Sequence, residues 1–263
     1  MEKVNISGVP ETMLQTVYAR SVHSKKTEHK FYDKKAVEIV AQLDYDFSNA
    51  EKDAAMSNGV IARTILLDRM VGDFINRNPN ATIVNIACGL DTRFYRVDNG
   101  KIHWYNIDLP ETIDLRRKFL DEDGRVSMIS CSAMNEKWAD KIENPKDKTL
   151  VIIEGLTMYL NENDVHQILS IIDRRFKNVE IIMETMNPFV VKHIKEKSIK
   201  ATKAKFTWGL KSGKDLKTIA PNFNWVKDIS LTDGMKELYP IYKFLSLLSP
   251  IRNMANKLVV LRK

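Results

Sequence analysis

Thr82-Ile83-Val84-Asn85-Ile86-Ala87-Cys88, followed at once by Gly89-Leu90-Asp91-Thr92-Arg93, decides the fold. The first seven residues form a short, nearly continuous apolar run, as a strand buried on both faces requires. The glycine that ends it lets the backbone turn and approach a ligand closely. Comparable runs recur downstream at Lys101–Asp108, Arg125–Ser132, Thr149–Leu156 and Asn178–Met186. Helical patterns separate them. Glu111–Asp121 opens behind Pro110 with Ile113, Leu115, Phe119 and Leu120 as its apolar set, and Asn161–Phe176 places Val165, Ile168, Leu169 and Ile172 on one face. Strand alternating with helix predicts an α/β fold, a parallel sheet covered on both sides.

Working outward, Asn224–Ser230 and Lys257–Lys263 have strand composition, with a helical stretch Met235–Leu248 between them and Pro250 after it. Upstream, Val9–Ser21, Asp33–Leu43 and Asn58–Asn76 read as helices that pack outside the sheet. The expected organisation is a single domain over 1–263, comprising a helical cap (1–80), a ligand-binding core (81–186) and a second cap with the last strands (187–263).

At 263 residues, 44% hydrophobic and 29% charged, the chain can build a core without disulfides or metals. No apolar run approaches the roughly 20 residues that cross a bilayer. Met1–Pro10 lacks the pattern of a signal peptide. The expectation is a cytoplasmic protein. Cys88 and Cys131 read as buried, reduced thiols in neighbouring strands, and no clustered ligand set predicts a metal. The net charge of +7 is concentrated in Lys192, Lys195, Lys197, Lys200, Lys203, Lys205, Lys211, Lys214 and Lys217. That stretch reads as a solvated helix face, or as an attractor of an acidic substrate. It carries no nucleic-acid-binding motif.

Open parallel sheets bind ligands beyond the carboxyl ends of their strands. Gly89, Asp91, Asp108, Ser132, Ala133, Glu154 and Glu184 stand there. A carboxylate about 20 positions after a glycine turn can accept both hydroxyls of a ribose, so Gly89 and Asp108 together read as a nucleoside site. A dinucleotide site would carry Gly-x-Gly-x-x-Gly against a pyrophosphate. Here the turn is Ala87-Cys88-Gly89-Leu90-Asp91. Asp91 would repel a pyrophosphate and suits a cofactor with an amino group and a sulfonium charge. These residues favour S-adenosylmethionine over a nicotinamide dinucleotide.

The string Val84–Arg96 resembles the first motif of the leucine carboxyl methyltransferase family, which includes bacterial O-methyltransferases of polyketide biosynthesis. Trp104–Glu111 with Arg116-Arg117, and Glu154–Leu160, resemble two further motifs. Glu11-Thr12 through Ala19-Arg20, with Asp33 and Ala36, is similar to the family's opening helix. The likeness runs from about residue 9 to 185. It implies a seven-stranded Rossmann-like methyltransferase sheet with a reversed last hairpin, a helical N-terminal cap and insertions. It also implies residue roles: Gly89 under the methionine part of the cofactor, Asp108 and Leu109 at the ribose, Arg63 at the cofactor carboxylate, and Glu154 near its amino group. Ser132 and Ala133 fall at the adenine, where the family usually has Asp-Leu. Ala87 replaces a common glycine.

The function expected is S-adenosylmethionine-dependent O-methyl transfer to a small-molecule acceptor, with neither nucleic acid nor membrane as partner. A carboxylate acceptor is ionised at neutral pH and needs no base, which suits a site without a Ser-His or Cys-His pair. Arg20, Arg63 and Tyr159 are the candidates for orienting it. A protein C-terminal carboxyl methyltransferase and a non-catalytic cofactor-binding protein are the alternatives. Three more readings stay open: Arg63 paired with Asp68 or Asp73, Arg93 and Arg96 as surface charges, and the cap aromatics Phe189, Phe206, Trp208, Tyr239, Tyr242 and Phe244 as ordinary packing. His103 and His166 read as solvent-facing.

Overall fold

The computed structural model describes residues 2–3, 8–122, 124–143, 148–193 and 204–263. Lys195, Lys197, Lys200 and Lys203 lie outside the described residues, as does that part of the expected 187–263 cap.

Seven strands form one sheet: β1 (Thr82–Ile86), β2 (His103–Asp108), β3 (Val126–Ser130), β4 (Thr149–Ile153), β5 (Val179–Thr185), β6 (Asn224–Ser230) and β7 (Lys257–Arg262). Their spatial order is β3-β2-β1-β4-β5-β7-β6. The first five run parallel, and β7 pairs antiparallel with both β5 and β6. The chain therefore winds outward from β1 in one direction and from β4 in the other. The crevice between the carboxyl ends of these two strands is the switch point at which such sheets hold ligands.

Side-chain alternation within β1 explains the two-sided burial. Val84 and Ile86 face one core with Ile107, Val151, Ile153 and Ile181; Ile83 faces the other with Trp104, Leu150 and Ile152. Helix α5 (Glu162–Arg175) covers the first face through Val165, Leu169 and Ile172, and begins at a capping box between Asn161 and Asp164. Helix α3 (Ala54–Arg77) covers the second through Leu67, Val71 and Phe74. Each such side chain contributes about 1.5–3 kcal/mol on burial. The apolar stripes of two helices thus fix the sheet between them.

The N-terminal helices α1 (Thr12–Ser24) and α2 (Lys34–Gln42) pack with the loop after β1, where Met13, Leu14, Val17 and Ile39 meet Leu90 and, on α4 (Pro110–Arg117), Leu115. Glu2–Lys3 pairs with Leu43–Asp44 beside them. Asp33 caps α2 by accepting from the Ala36 amide at 2.9 Å.

Several boundaries differ from those read in the sequence. The expected strands ending at Cys88, Ser132, Leu156 and Met186 stop earlier, at Ile86, Ser130, Ile153 and Thr185. Ala87 and Gly155 take positive φ values of 54° and 64°, which ends the extended geometry in two of these cases. The long helix α3 begins four residues sooner because Asp53 caps it, accepting from the Met56 amide. The expected helix Met235–Leu248 is broken into α6 (Thr232–Leu238) and a short turn Tyr242–Leu245, since Pro240 cannot continue a helix. The cysteines do not lie in neighbouring strands. Cys88 follows β1 and is buried, Cys131 follows β3 and is half-buried, and β2 runs between.

Candidate active site

A cavity of about 260 Å³ opens at the switch point. It is lined by the turn after β1 (Ala87–Asp91), the end of β2 (Asp108, Leu109), the loop after β3 (Ser132–Met134), the end of β4 (Glu154, Gly155) and one face of α1 (Thr12, Met13, Thr16, Arg20). Every cofactor-site residue expected from the sequence lines this cavity, and so do Arg20 and Tyr159.

The turn is built tightly. Ala87 (φ 54°) and Gly89 (φ 51°) both sit in the left-handed region. Ala87 bears a cost there of roughly 1–2 kcal/mol that glycine avoids. A Cβ on Gly89 would come within 3.0 Å of Met13 Cβ, so the roof helix rests on the bare backbone. The Gly89 amide donates to Asp108 Oδ2 at 2.7 Å, and the Leu109 amide donates to Oδ1 at 2.7 Å. Each oxygen thereby retains a lone pair for a further donor. Burial pushes the Asp108 carboxyl above its ordinary range, and the two amides only partly oppose that.

Arg63, on α3, does not pair with Asp68 or Asp73. Its Nε lies 2.6 Å from Glu154 Oε1, and its Nη1 donates to Glu184 Oε2 at 2.8 Å. Glu184, at the end of β5, also accepts from the Gly155 amide and from Asn256 Nδ2, each at 2.9 Å. Burial opposes the charge on Arg63, but the two carboxylates outweigh it and raise its pKa.

Arg93 and Arg96 are not surface charges. Arg93 is 1% exposed. It donates through Nη1 to Asp91 Oδ2 (2.7 Å), through Nη2 to Glu154 Oε2 (2.8 Å) and through Nε to Asp68 Oδ1 (2.8 Å). Arg96 joins Asp68 to Asp33, and Arg20 donates to Asp33 at 2.9 Å and to the Leu90 carbonyl at 2.8 Å. Four arginines and five carboxylates thus form one continuous buried chain, Arg20–Asp33–Arg96–Asp68–Arg93–Asp91/Glu154–Arg63–Glu184. Burial works against ionisation of Asp91, Glu154 and Asp33, yet the facing arginines prevail and hold all three below the ordinary range, Asp91 at about 2.

Arg20 therefore ties α1 to the turn, its guanidinium committed to Asp33 and Leu90. Asp91 likewise faces the cavity while it accepts from Arg93 and from Asn85 Nδ2 (3.0 Å). In the sequence Glu184 shows only as a strand-end residue, and Arg93 is compatible with a surface charge. Glu184 follows the apolar run Ile181-Ile182-Met183, where a charge requires a partner, whereas Arg93, in Asp91-Thr92-Arg93-Phe94, carries no such local signal. Cys88 is buried and its thiol is pushed far up by desolvation. His103 and His166 are exposed, as expected.

A second cavity of about 370 Å³ adjoins the first and shares Thr12, Thr16, Arg63, Gly155 and Tyr159 with it. Its remaining wall is largely apolar, including Met56, Met158, Met186, Phe206, Met235 and Ile251. Tyr159 packs on Phe206 with ring centroids 5.5 Å apart. Of the cap aromatics, Phe206 and Tyr242 line this cavity, Trp208 is buried, and Phe189, Tyr239 and Phe244 are exposed. Ordinary packing holds for Trp208 but not for those three.

The profile of the leucine carboxyl methyltransferase family matches residues 13–173. The chain is 29% identical over 248 residues to the tetracenomycin polyketide synthesis O-methyltransferase TcmP of Streptomyces glaucescens, covering 92% of this chain and 91% of that protein. It is 28% identical over 246 residues to the S-adenosyl-L-methionine-dependent methyltransferase dpfgK of Gibberella zeae, covering 85% and 82%. In three dimensions it resembles a DUF574 family protein from Streptomyces avermitilis, with a TM-score of 0.62 at 10% identity and 98% of each chain covered.

Proposed function

The chain belongs to the leucine carboxyl methyltransferase family, and from that premise we propose that it is an S-adenosylmethionine-dependent O-methyltransferase whose two adjoining cavities hold cofactor and small-molecule acceptor. The observation that carries this reading is the shared wall. Arg63, Gly155 and Tyr159 face both cavities, so two ligands can meet there with reacting atoms in contact.

The residues of the first cavity fit the cofactor. The bare backbone at Gly89 admits a ligand against the turn. Asp108 keeps lone pairs for a ribose diol. Arg63 offers a fixed cation for the cofactor's carboxylate, and Glu154 an anion for its ammonium group. Leu109, Ser132 and Ala133 flank the adenine position. When bound, S-adenosylmethionine supplies an electrophilic methyl group on a sulfonium centre.

The protein's contribution is alignment and exclusion of water. Arg63 is fixed because Glu154 and Glu184 grip it from two sides, so the shared wall is rigid. The methionine-rich wall of the second cavity strips water from an apolar acceptor and adapts to its shape. Thr12, Thr16 and Tyr159 orient the acceptor oxygen. Among the described residues no histidine lines either cavity, and the Cys88 thiol holds its proton. An acceptor that is already ionised, a carboxylate, fits such a site.

Titration calorimetry with S-adenosylmethionine and with NAD tests the cofactor, and release of S-adenosylhomocysteine in a metabolite extract tests turnover. S-adenosylmethionine is expected to bind and NAD to give no heat; the reverse would overturn the reading.

A further inference from the structure

Exposed apolar side chains are not spread evenly over this molecule. Among the described residues six large apolar side chains are more than half exposed, and apart from Tyr32 and Phe189 they lie in one segment, as Ile241, Phe244, Leu247 and Leu248, with Phe244 at 71% and Leu247 at 76%. Phe189, also more than half exposed, lies on a turn that is joined to Ser249–Met254, the turn after this segment, by the Asn187 Nδ2 bond to the Asn253 carbonyl (2.7 Å). Soluble proteins seldom leave such a cluster facing water without a use.

The charge carried by the segment itself has one sign, although Arg252 is paired with Asp233 at 2.9 Å. No aspartate or glutamate occurs from Leu238 to Lys263, and Lys243 sits directly between Tyr242 and Phe244. Lys192 and His193 follow Phe189 on its turn. Aromatic and leucine side chains among lysines, without acids, form the composition that settles at the boundary between lipid headgroups and acyl chains. An apolar segment that carries Lys243 and no acid of its own complements an anionic bilayer.

The same segment and the turn after it wall the second cavity through Tyr242 and Ile251. We propose that the face formed by Ile241, Phe244, Leu247 and Leu248, with Lys243 and Lys192, docks on an anionic lipid surface, so that a lipophilic acceptor passes from the bilayer into the second cavity. Among the described residues no helix is long and apolar enough to cross a membrane. A surface of this kind rests on a bilayer without crossing it. The sequence expectation of no membrane partner rests on the absence of a spanning run, which does not bear on such a face. Delivery of the acceptor rests on the functional reading above, whereas lipid binding does not.

The test is co-sedimentation of the full chain with phosphatidylcholine vesicles, with and without phosphatidylglycerol, at low and high salt. The wild type is expected to pellet with the anionic vesicles and to be released by salt. Phe244→Glu combined with Leu247→Glu is expected to lower that binding at least tenfold, while S-adenosylmethionine affinity by calorimetry stays at the wild-type value and reports an intact fold. Failure to pellet with anionic vesicles, or equal pelleting of the double variant, overturns the proposal. So does salt-insensitive binding to phosphatidylcholine alone. Self-association in sedimentation velocity that the double variant abolishes, without vesicle binding, would reassign the face to a contact between copies of this chain. Loss of S-adenosylmethionine binding by the wild type would sink the enzymatic reading and leave the lipid result standing.

Discussion

Replacing Arg63 with methionine keeps much of the side-chain length and removes the charge, leaving Glu154 and Glu184 without the cation between them. Removing one partner of a buried ion pair costs about 3–5 kcal/mol, because the other partner is stranded. Here the loss is cushioned. Glu154 keeps Arg93 at 2.8 Å, and Glu184 keeps the Gly155 amide and Asn256. The lower end of the range, about 3 kcal/mol, is therefore expected. In a chain of this size each kcal/mol shifts the melting temperature by about 2–4 °C, so Arg63→Met should melt about 6–12 °C below wild type. Adding Glu184→Gln removes the stranded charge and should recover part of that loss, a coupling that a double-mutant cycle reads directly. The assay is thermal unfolding by circular dichroism at neutral pH without cofactor, paired with calorimetric titration of S-adenosylmethionine. Affinity should fall at least tenfold in the single variant, since a charge-assisted contact is lost. If Arg63→Met melts with wild type, or if Glu184→Gln on top of it restores nothing, the ion-pair chain does not hold the site in the way described.

Three other outcomes follow from single residues. Asp108→Asn should weaken S-adenosylmethionine at least tenfold by calorimetry and also lower the melting temperature, because one acceptor oxygen becomes a donor that faces the Gly89 or Leu109 amide; unchanged affinity would remove Asp108 from the ribose. Gly89→Val should abolish cofactor binding in a variant that still folds, as checked by circular dichroism, because its φ of 51° and the 3.0 Å approach to Met13 leave no room for a branched side chain; a folded variant that binds normally would move the turn out of the site. His23 is buried, with desolvation foremost in lowering its pKa from 6.5 to about 4, helped by Lys26, His29 and Lys30. Its folded state binds protons less readily than the unfolded chain, so its contribution to stability should be complete above about pH 6.5 and fade as pH falls toward 4. Denaturant midpoints across that window should show the slope in wild type and lose it in His23→Leu; an identical slope in both would assign the effect elsewhere.

The core of the fold was legible because it rests on periodicity. A strand buried on both faces must be apolar along its length, and Thr82–Ile86 and Thr149–Ile153 announce themselves in that way. The glycine turn and the acid one strand later were legible for a similar reason, since Gly89 and Asp108 each answer a local demand of backbone and ligand. The cap was read less well. Asp33 looked like a helix start and is one, but nothing local says that its other oxygen accepts from Arg20, Thr92 and Arg96. The break at Pro240 is written in the chain, but the apolar pattern around it favours one continuous helix.

What the chain order settled, then, was the sheet, its winding, the glycine turn at the head of the cavity and the family resemblance borne by those motifs. What only the packed structure decided was which charges meet. Arg63 and Glu184 are 121 positions apart, and a long flexible side chain in sequence has many partners within reach of imagination. Burial removes that freedom, because a charge withdrawn from water must find its opposite. The sheet and α3 bring Glu154 and Glu184 to the same guanidinium. The second cavity and the exposed face beside it belong to the same category, since both are shaped by segments that meet only after the chain has folded.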